Sequence, residues 1–155
     1  MRIGTGYDVH RLKAGRDLLL GGVRIEHPVG LDGHSDADVL THAVIDAILG
    51  AAALGDIGEH FPDTDPQWRD MSSLDLLEIA NGLVGKAGYR VVNVDSTVIA
   101  EAPRLHLFLA DMQKNIAHRL GLKHSLVSVK ATSPEGVGAL GRSHGIAAQA
   151  VALIE

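Results

Sequence analysis

The stretch "RIGTGYDVH", residues 2–10, alternates in the manner of a β-strand. Ile3, Thr5, Tyr7 and Val9 fall on one face, and Gly4, Gly6, Asp8 and His10 on the other. Asp8 and His10 therefore point the same way. Beyond this strand, "DLLLGGVRIE" (17–26) reads as a hairpin that turns at Gly21-Gly22. Residues 36–53, "DADVLTHAVIDAILGAAA", are rich in strong helix formers, with Ser35 or Asp36 available to cap the first turn. Asp38, His42 and Asp46 then recur at i, i+4 along one face, so that Asp38 or Asp46 could orient the His42 imidazole. A Gly/Pro/Asp-rich loop over 54–67 leads to a helix that Ser72 opens and Gly88 ends. The alternation of "YRVVNVDSTVIAE" predicts a strand over 89–101. Pro103 suits the first turn of a helix that stops at Gly121. "SLVSVKAT" (125–132) and "GIAAQAVALI" (145–154) read as the last two strands.

Helices alternating with four main strands predict an α+β fold: one domain over residues 1–155, with a mixed four-stranded sheet covered by helices on one face. Neither an internal repeat nor a linker divides it. The last strand is apolar or small on both faces apart from Gln149, and three helices cannot cover both faces of a twisted sheet. The pattern therefore predicts a homo-oligomer whose sheets pack around a symmetry axis.

Composition narrows the function. A chain of 155 residues at 46% hydrophobic content is long enough for one sizeable core. It has no cysteine, so a metal would have to sit on His, Asp or Glu, and no disulfide framework exists. The start of the chain lacks the features of a signal or transit peptide, and no apolar run is long enough to span a bilayer, which together predict a cytoplasmic protein. A net charge of -5 without a basic cluster argues against nucleic acid or an anionic membrane as partner.

The candidate chemistry starts from the strand pair. Asp8 and His10 at i, i+2, joined by His42 from the helix, would give three N/O ligands with a fourth position open, which suits a metal. On spacing alone D-x-H is a weak signal, and the commoner reading makes Asp8 an edge acid and His42 a solvated helix residue. "HSDAD" (34–38) is either a capped helix start or a functional His34, and "FPDTD" (61–65) reads as a turn. "KATSPEGVGALGR" (130–142) carries glycines, hydroxyls and an arginine able to cradle phosphate, without P-loop spacing. His27, His118 and His124 read as surface residues.

Several motifs taken in order carry a far more specific signal: "GYDVH" (6–10), "HSDADVLTHAVIDAILGAAALGDIG" (34–58), "FPDTD" (61–65), "NVD" (93–95), "AEAPRL" (100–105), and "VKAT" (129–132) followed by Glu135 and "GR" (141–142). Over essentially its whole length the chain resembles the 2-C-methyl-D-erythritol 2,4-cyclodiphosphate synthases, the cyclising enzymes of non-mevalonate isoprenoid biosynthesis. The resemblance implies that Asp8, His10 and His42 hold one zinc ion per subunit, and that Glu135 holds a second divalent ion, magnesium or manganese. It places His34 and Ser35 beside the substrate phosphates and counts Asp8, Val9 and His10 among the substrate-binding residues. Asp56, Ile57, Gly58, Phe61, Pro62, Asp63, Thr64 and Asp65 would line the methylerythritol portion. Ala100, Glu101, Ala102, Pro103, Arg104, Leu105 and His106 would form the cytidine pocket, with Thr132, Ser133, Pro134, Glu135 and Arg142 toward the phosphates and His34 and Ser133 as catalytic residues. It further implies a cytoplasmic homotrimer with active sites between subunits.

The implied activity is that of a phosphorus–oxygen lyase. It would close 4-diphosphocytidyl-2-C-methyl-D-erythritol 2-phosphate into the cyclic diphosphate with loss of CMP. Two departures from the family pattern stand out. Ser133 replaces a common threonine, keeping the hydroxyl while losing the methyl that restricts its rotamer. Ala139 and His144 stand where some relatives carry a bulkier residue and a glutamate, beside an Arg/Glu arrangement associated with a central cavity for isoprenoid diphosphates. The competing readings are a non-catalytic trimeric module on the same fold, and a zinc hydrolase in which His34 would accept the proton.

Overall fold

A computed structural model describes residues 1–33, 35–68 and 71–155. Strand β1 (Arg2–Ala14) runs four residues past the alternating stretch. It is followed by the short strands β2 (Leu18–Leu20), β3 (Val23–Ile25) and β4 (Val29–Leu31). The β2–β3 hairpin turns at Gly21 and Gly22 as expected. Both have positive φ, 55° and 69°, the conformation that a two-residue turn of this hand requires and that glycine adopts freely.

Helix α1 (Val39–Ala51) has ten buried residues among its thirteen, the pattern of a helix enclosed by the core. It starts later than the sequence suggested, and its cap is neither Ser35 nor Asp36. Asp38 accepts from the Thr41 N–H, while the Asp36 carboxylate reaches across to Ser73. Segment 54–67, read as loop, contains the single-turn helix α2 (Ile57–His60), capped by Asp56. A 3-10 turn, Pro66–Trp68, follows it. Helix α3 (Ser73–Lys86) is capped by Ser72 as expected. Strand β5 (Val91–Ile99) is shorter at both ends than its alternation suggested.

Helix α4 (Leu109–Leu120) does not begin at Pro103. Leu105 is buried and anchors a loop to the core, and that loop must end before the helix can start. The exit is as expected, with Gly121 left-handed at φ 67°. Strand β6 (Val127–Thr132), single-turn helix α5 (Gly138–Gly141) and strand β7 (Gly145–Ile154) complete the chain.

The main sheet has five strands rather than four, in the order β4-β1-β7-β5-β6. The additional strand is β4, which pairs only with the end of β1, from Leu12↔Leu31 to Ala14↔Val29. Strands β5 and β6 are parallel and the other pairs antiparallel, so the mixed character is as expected. Strand β7 sits at the centre, joined to β1 from Arg2↔Ile154 to Arg11↔Gly145 and to β5 on its other side. Helices α1, α3 and α4 stack on one face. There Ile146, Ala148, Ala150, Ala152 and Ile154 are buried. The glycines of β1 permit close approach: a Cβ on Gly6 would lie 1.9 Å from the Ala43 carbonyl oxygen, and one on Gly4 2.1 Å from that of Ala47. On the opposite face Ile3, Tyr7, Val9 and Val151 are exposed in the single chain. No helix among the described residues is long and apolar enough to cross a membrane.

Candidate active site

Because β1 lies directly against α1, the side chains of Asp8 and His10 meet His42 where strand and helix touch. The Asp8 Oδ2 atom is 2.8 Å from His10 Nε2 and 3.0 Å from His42 Nδ1. These three residues are the one His/Asp/Glu group with converging ligand atoms among the described residues, all within 4.8 Å of one another. Each is half-buried. Burial alone would raise the Asp8 carboxyl. The hydrogen bonds from His10 and His42 outweigh it and hold the carboxyl well below the usual range. The bond to Asp8 raises His10, against the opposing effect of burial.

The far nitrogens are held as well. Nδ1 of His10 lies 2.8 Å from the Asp32 carbonyl, and Nε2 of His42 lies 2.8 Å from Ser73 Oγ. A carboxylate between two imidazoles, each anchored by its other nitrogen, fits the donor set and support of a divalent metal.

This cluster opens into a cavity of about 490 Å³. Ser35, Ile57, Gly58, Phe61, Pro62, Asp63 and Thr64 help to line it. Its outer wall is tied to α1 through Asp46, whose Oδ1 accepts from the Ile57 N–H at 2.8 Å. Burial pushes the Asp46 carboxyl up. Phe61 packs edge-on against Trp68 at 5.1 Å. Asp56 and Asp65 hold backbone instead of lining the cavity: Asp56 caps α2, and Asp65 accepts from the Gln67 N–H at 3.0 Å. Val9 points to the exposed sheet face, where it borders a different cavity with Leu12, Ala139 and His144. His34 lies outside the described residues.

A second cavity of about 440 Å³ lies at the ends of β5 and β6. Ala100, Glu101, Pro103, Arg104, Leu105 and His106 meet Thr132, Ser133 and Glu135 there, so two sequence motifs that are separated by about thirty residues converge. The Glu101 carboxylate ties them together, accepting from the Ser133 hydroxyl at 3.0 Å and from the Gly136 N–H at 3.2 Å. Ser133 Oγ in turn accepts from the Glu135 N–H at 2.9 Å, in a turn where Glu135 has φ 52°. Ala102, Pro134 and Arg142 are not among the lining residues. Among the described residues, none lines both cavities.

Sequence reasoning missed Ser73, Asp36 and Arg16. The Arg16 guanidinium donates to the carbonyls of Leu31, Gly33 and Ser35 at 3.0 to 3.2 Å, clamping the approach to the cluster. Ser73 and Asp36 are 37 positions apart, and no local pattern signals their contact. Asp38 and Asp46, favoured by helical spacing, hold backbone N–H groups of the hairpin and of α2 rather than the outer nitrogen of His42.

The 2-C-methyl-D-erythritol 2,4-cyclodiphosphate synthase of Syntrophomonas wolfei is 60% identical over 155 residues, covering 100% of this chain and 99% of that protein. Among solved structures, the bifunctional IspDF from Campylobacter jejuni is similar with a TM-score of 0.95 and 45% identity over 99% of this chain, which spans 42% of that longer one. A 2C-methyl-D-erythritol-2,4-cyclodiphosphate synthase solved in a CDP-bound form gives a TM-score of 0.91 and 36% identity, covering 99% of this chain and 100% of that one. The YgbB family model matches residues 1–155, from the strand that carries Asp8 and His10 through the last strand of the sheet, and the chain belongs to the YgbB family.

Proposed function

We propose that this chain is a 2-C-methyl-D-erythritol 2,4-cyclodiphosphate synthase, a phosphorus–oxygen lyase. It cyclises 4-diphosphocytidyl-2-C-methyl-D-erythritol 2-phosphate by attack of the 2-phosphate on the β-phosphorus, expelling CMP. The observation that carries this reading is the convergence of Asp8, His10 and His42 on the cavity bounded by Ile57–Thr64, in a chain 60% identical to a synthase of that name. Residues 1–155 act as one catalytic unit in the cytoplasm, without nucleic acid or membrane as partner.

The protein's part in the reaction is chiefly binding and orientation. A phosphate monoester has its second pKa at about 6, so the nucleophile is mostly dianionic at neutral pH and needs no strong general base. Zinc on Asp8, His10 and His42, with magnesium or manganese on Glu135, would supply Lewis-acid neutralisation of the diphosphate. A single carboxylate at Glu135 fits a hard ion that takes its remaining ligands from phosphate and water. The cavity around Glu101 and Arg104 accepts the cytidine. The hydroxyls of Ser35 and Thr132 donate to phosphate oxygens, as does His34; Ser133 does so by turning its one proton from Glu101 to the phosphate, while Arg142 adds positive charge. Fixing nucleophile and phosphorus in line can account for about 7 kcal/mol or more of the barrier.

A homotrimer completes the site. The exposed apolar sheet face and the separation of the two cavities support active sites formed by the metal cluster of one subunit and the cytidine cavity of the next. The test is incubation of purified wild type and His42→Ala with the diphosphocytidyl substrate, alongside metal analysis. The expected outcome is cyclic product and CMP from wild type, with zinc and turnover lost together in His42→Ala. An uncyclised product would point instead to a hydrolase, and full zinc occupancy in the variant would remove His42 from the ligand set.

A further inference from the structure

The arrangement around the outer nitrogen of His42 fixes more than a distance. Ser73 is fully buried at the start of α3, and its Oγ lies 2.8 Å from His42 Nε2. The same hydroxyl is hydrogen-bonded to Asp36 Oδ1, and the other Asp36 oxygen accepts from the Ser73 backbone N–H at 2.9 Å. A hydroxyl has one proton to give, and a carboxylate can only accept. The Ser73 proton must therefore go to Asp36, and Ser73 can only accept from His42. Nε2 of His42 thus carries a hydrogen, which makes Nδ1, the atom facing Asp8, the nitrogen that can present a lone pair to a metal. The only other hydroxyl nearby among the described residues, Ser35 Oγ, is 3.4 Å away and already accepts from the Ala37 N–H, which makes it a poor substitute.

His10 is fixed in the opposite sense. Its Nδ1 faces the Asp32 carbonyl, which has no proton to give, so Nδ1 is the N–H and Nε2 is presented to Asp8. The two histidines thus offer different nitrogens to one point, and each choice is enforced from behind.

We propose that Ser73, oriented by Asp36, is a positioning residue that locks the His42 tautomer and thereby sets the zinc affinity of the Asp8–His10–His42 cluster. This rests on the zinc reading given above. The relay also joins α1, α3 and the segment before α1, so zinc binding and the docking of the α3 N-terminus support each other.

The test measures zinc affinity by competition with a chromophoric chelator in purified wild type, Ser73→Ala and Asp36→Asn. Removing a partner of this kind costs about 10- to 100-fold in metal affinity, and Ser73→Ala should fall in that range. Asp36→Asn keeps the shape but can turn an amide N–H toward Ser73, releasing the hydroxyl to donate to His42; a several-fold loss is expected. It also serves if Ser73→Ala does not fold. In zinc-loaded wild type labelled with 15N-histidine, His42 should show an exchange-protected proton on Nε2, which Ser73→Ala exposes to rapid exchange. Zinc binding of wild-type strength in both variants, or a wild-type His42 without that protected proton, overturns the relay and leaves the zinc site standing. Wild type that binds no zinc overturns both.

Discussion

Asp38 lies one helical turn before His42, yet its carboxylate is fully engaged with its own neighbourhood. It accepts from the N–H groups of Gly21 and Gly22 at 2.9 and 2.7 Å, from the Thr41 N–H at 3.0 Å and from the Thr41 hydroxyl at 2.8 Å. One side chain thus caps α1 and pins the hairpin turn to it. Asp38→Ala removes a cap worth about 1 kcal/mol and strands further donors at about 1–3 kcal/mol each, so a loss of about 3 kcal/mol or more is expected in urea unfolding. The exposed Asp17–Arg24 pair is the contrast. Asp17→Ala should cost about 0.5 kcal/mol, as surface ion pairs do. Ser133 works differently, since its hydroxyl bridges Glu101 and the Glu135 N–H within the second cavity. Ser133→Ala should slow single-turnover cyclisation while zinc content stays at the wild-type level, and an unchanged rate would take Ser133 out of the phosphate contacts.

Among the elements, the contact of β1 with α1 decides whether the metal cluster can exist. A Cβ on Gly6 would meet the Ala43 carbonyl at 1.9 Å and the Ala47 nitrogen at 2.8 Å, both backbone atoms that cannot swing aside. Gly6→Ala must push strand and helix apart two residues from Asp8. It should lower stability by about 3 kcal/mol, the upper part of the range for overpacking, and weaken zinc binding in the same measurement. Gly82→Ala, on the exposed side of α3 with no atom near its added Cβ, should instead raise stability by about 0.8 kcal/mol through helix propensity. These contacts explain how far the site was legible in advance. The i, i+2 alternation of Asp8 and His10 is local and survives folding, and the capping and exit signals of α3 and the exit of α4 held. Ser73 and Asp36 were invisible because their partnership exists only after α3 docks. Pro103 misled because a proline suits a loop as well as a first helical turn, and burial of Leu105 chose the loop.

For the whole molecule, the sequence reading of mixed sheet and one-sided helices was sound because hydrophobic alternation reports which face meets the core. The short β4 escaped it, since three residues are too few to show a period. The exposed residues Ile3, Tyr7, Val9 and Val151 lead to an expectation about assembly. Light scattering at micromolar protein should give the mass of three chains. Val151→Asp, which places a charge on that face and leaves the helix-covered side untouched, should give a folded single chain by circular dichroism that no longer releases CMP. A wild-type mass of one chain would refute the trimer. Strand β7 adds a consequence for biosynthesis. It follows every other element in chain order, yet it is the strand that joins β1 to β5 and β6. On the ribosome, then, β1 must wait for its central neighbour while α1 already seeks an apolar surface to cover. The nascent chain can close the β2–β3 hairpin and wind its helices early, but the sheet, and with it the firm seat of Asp8 and His10, forms only once residues 145–154 have emerged.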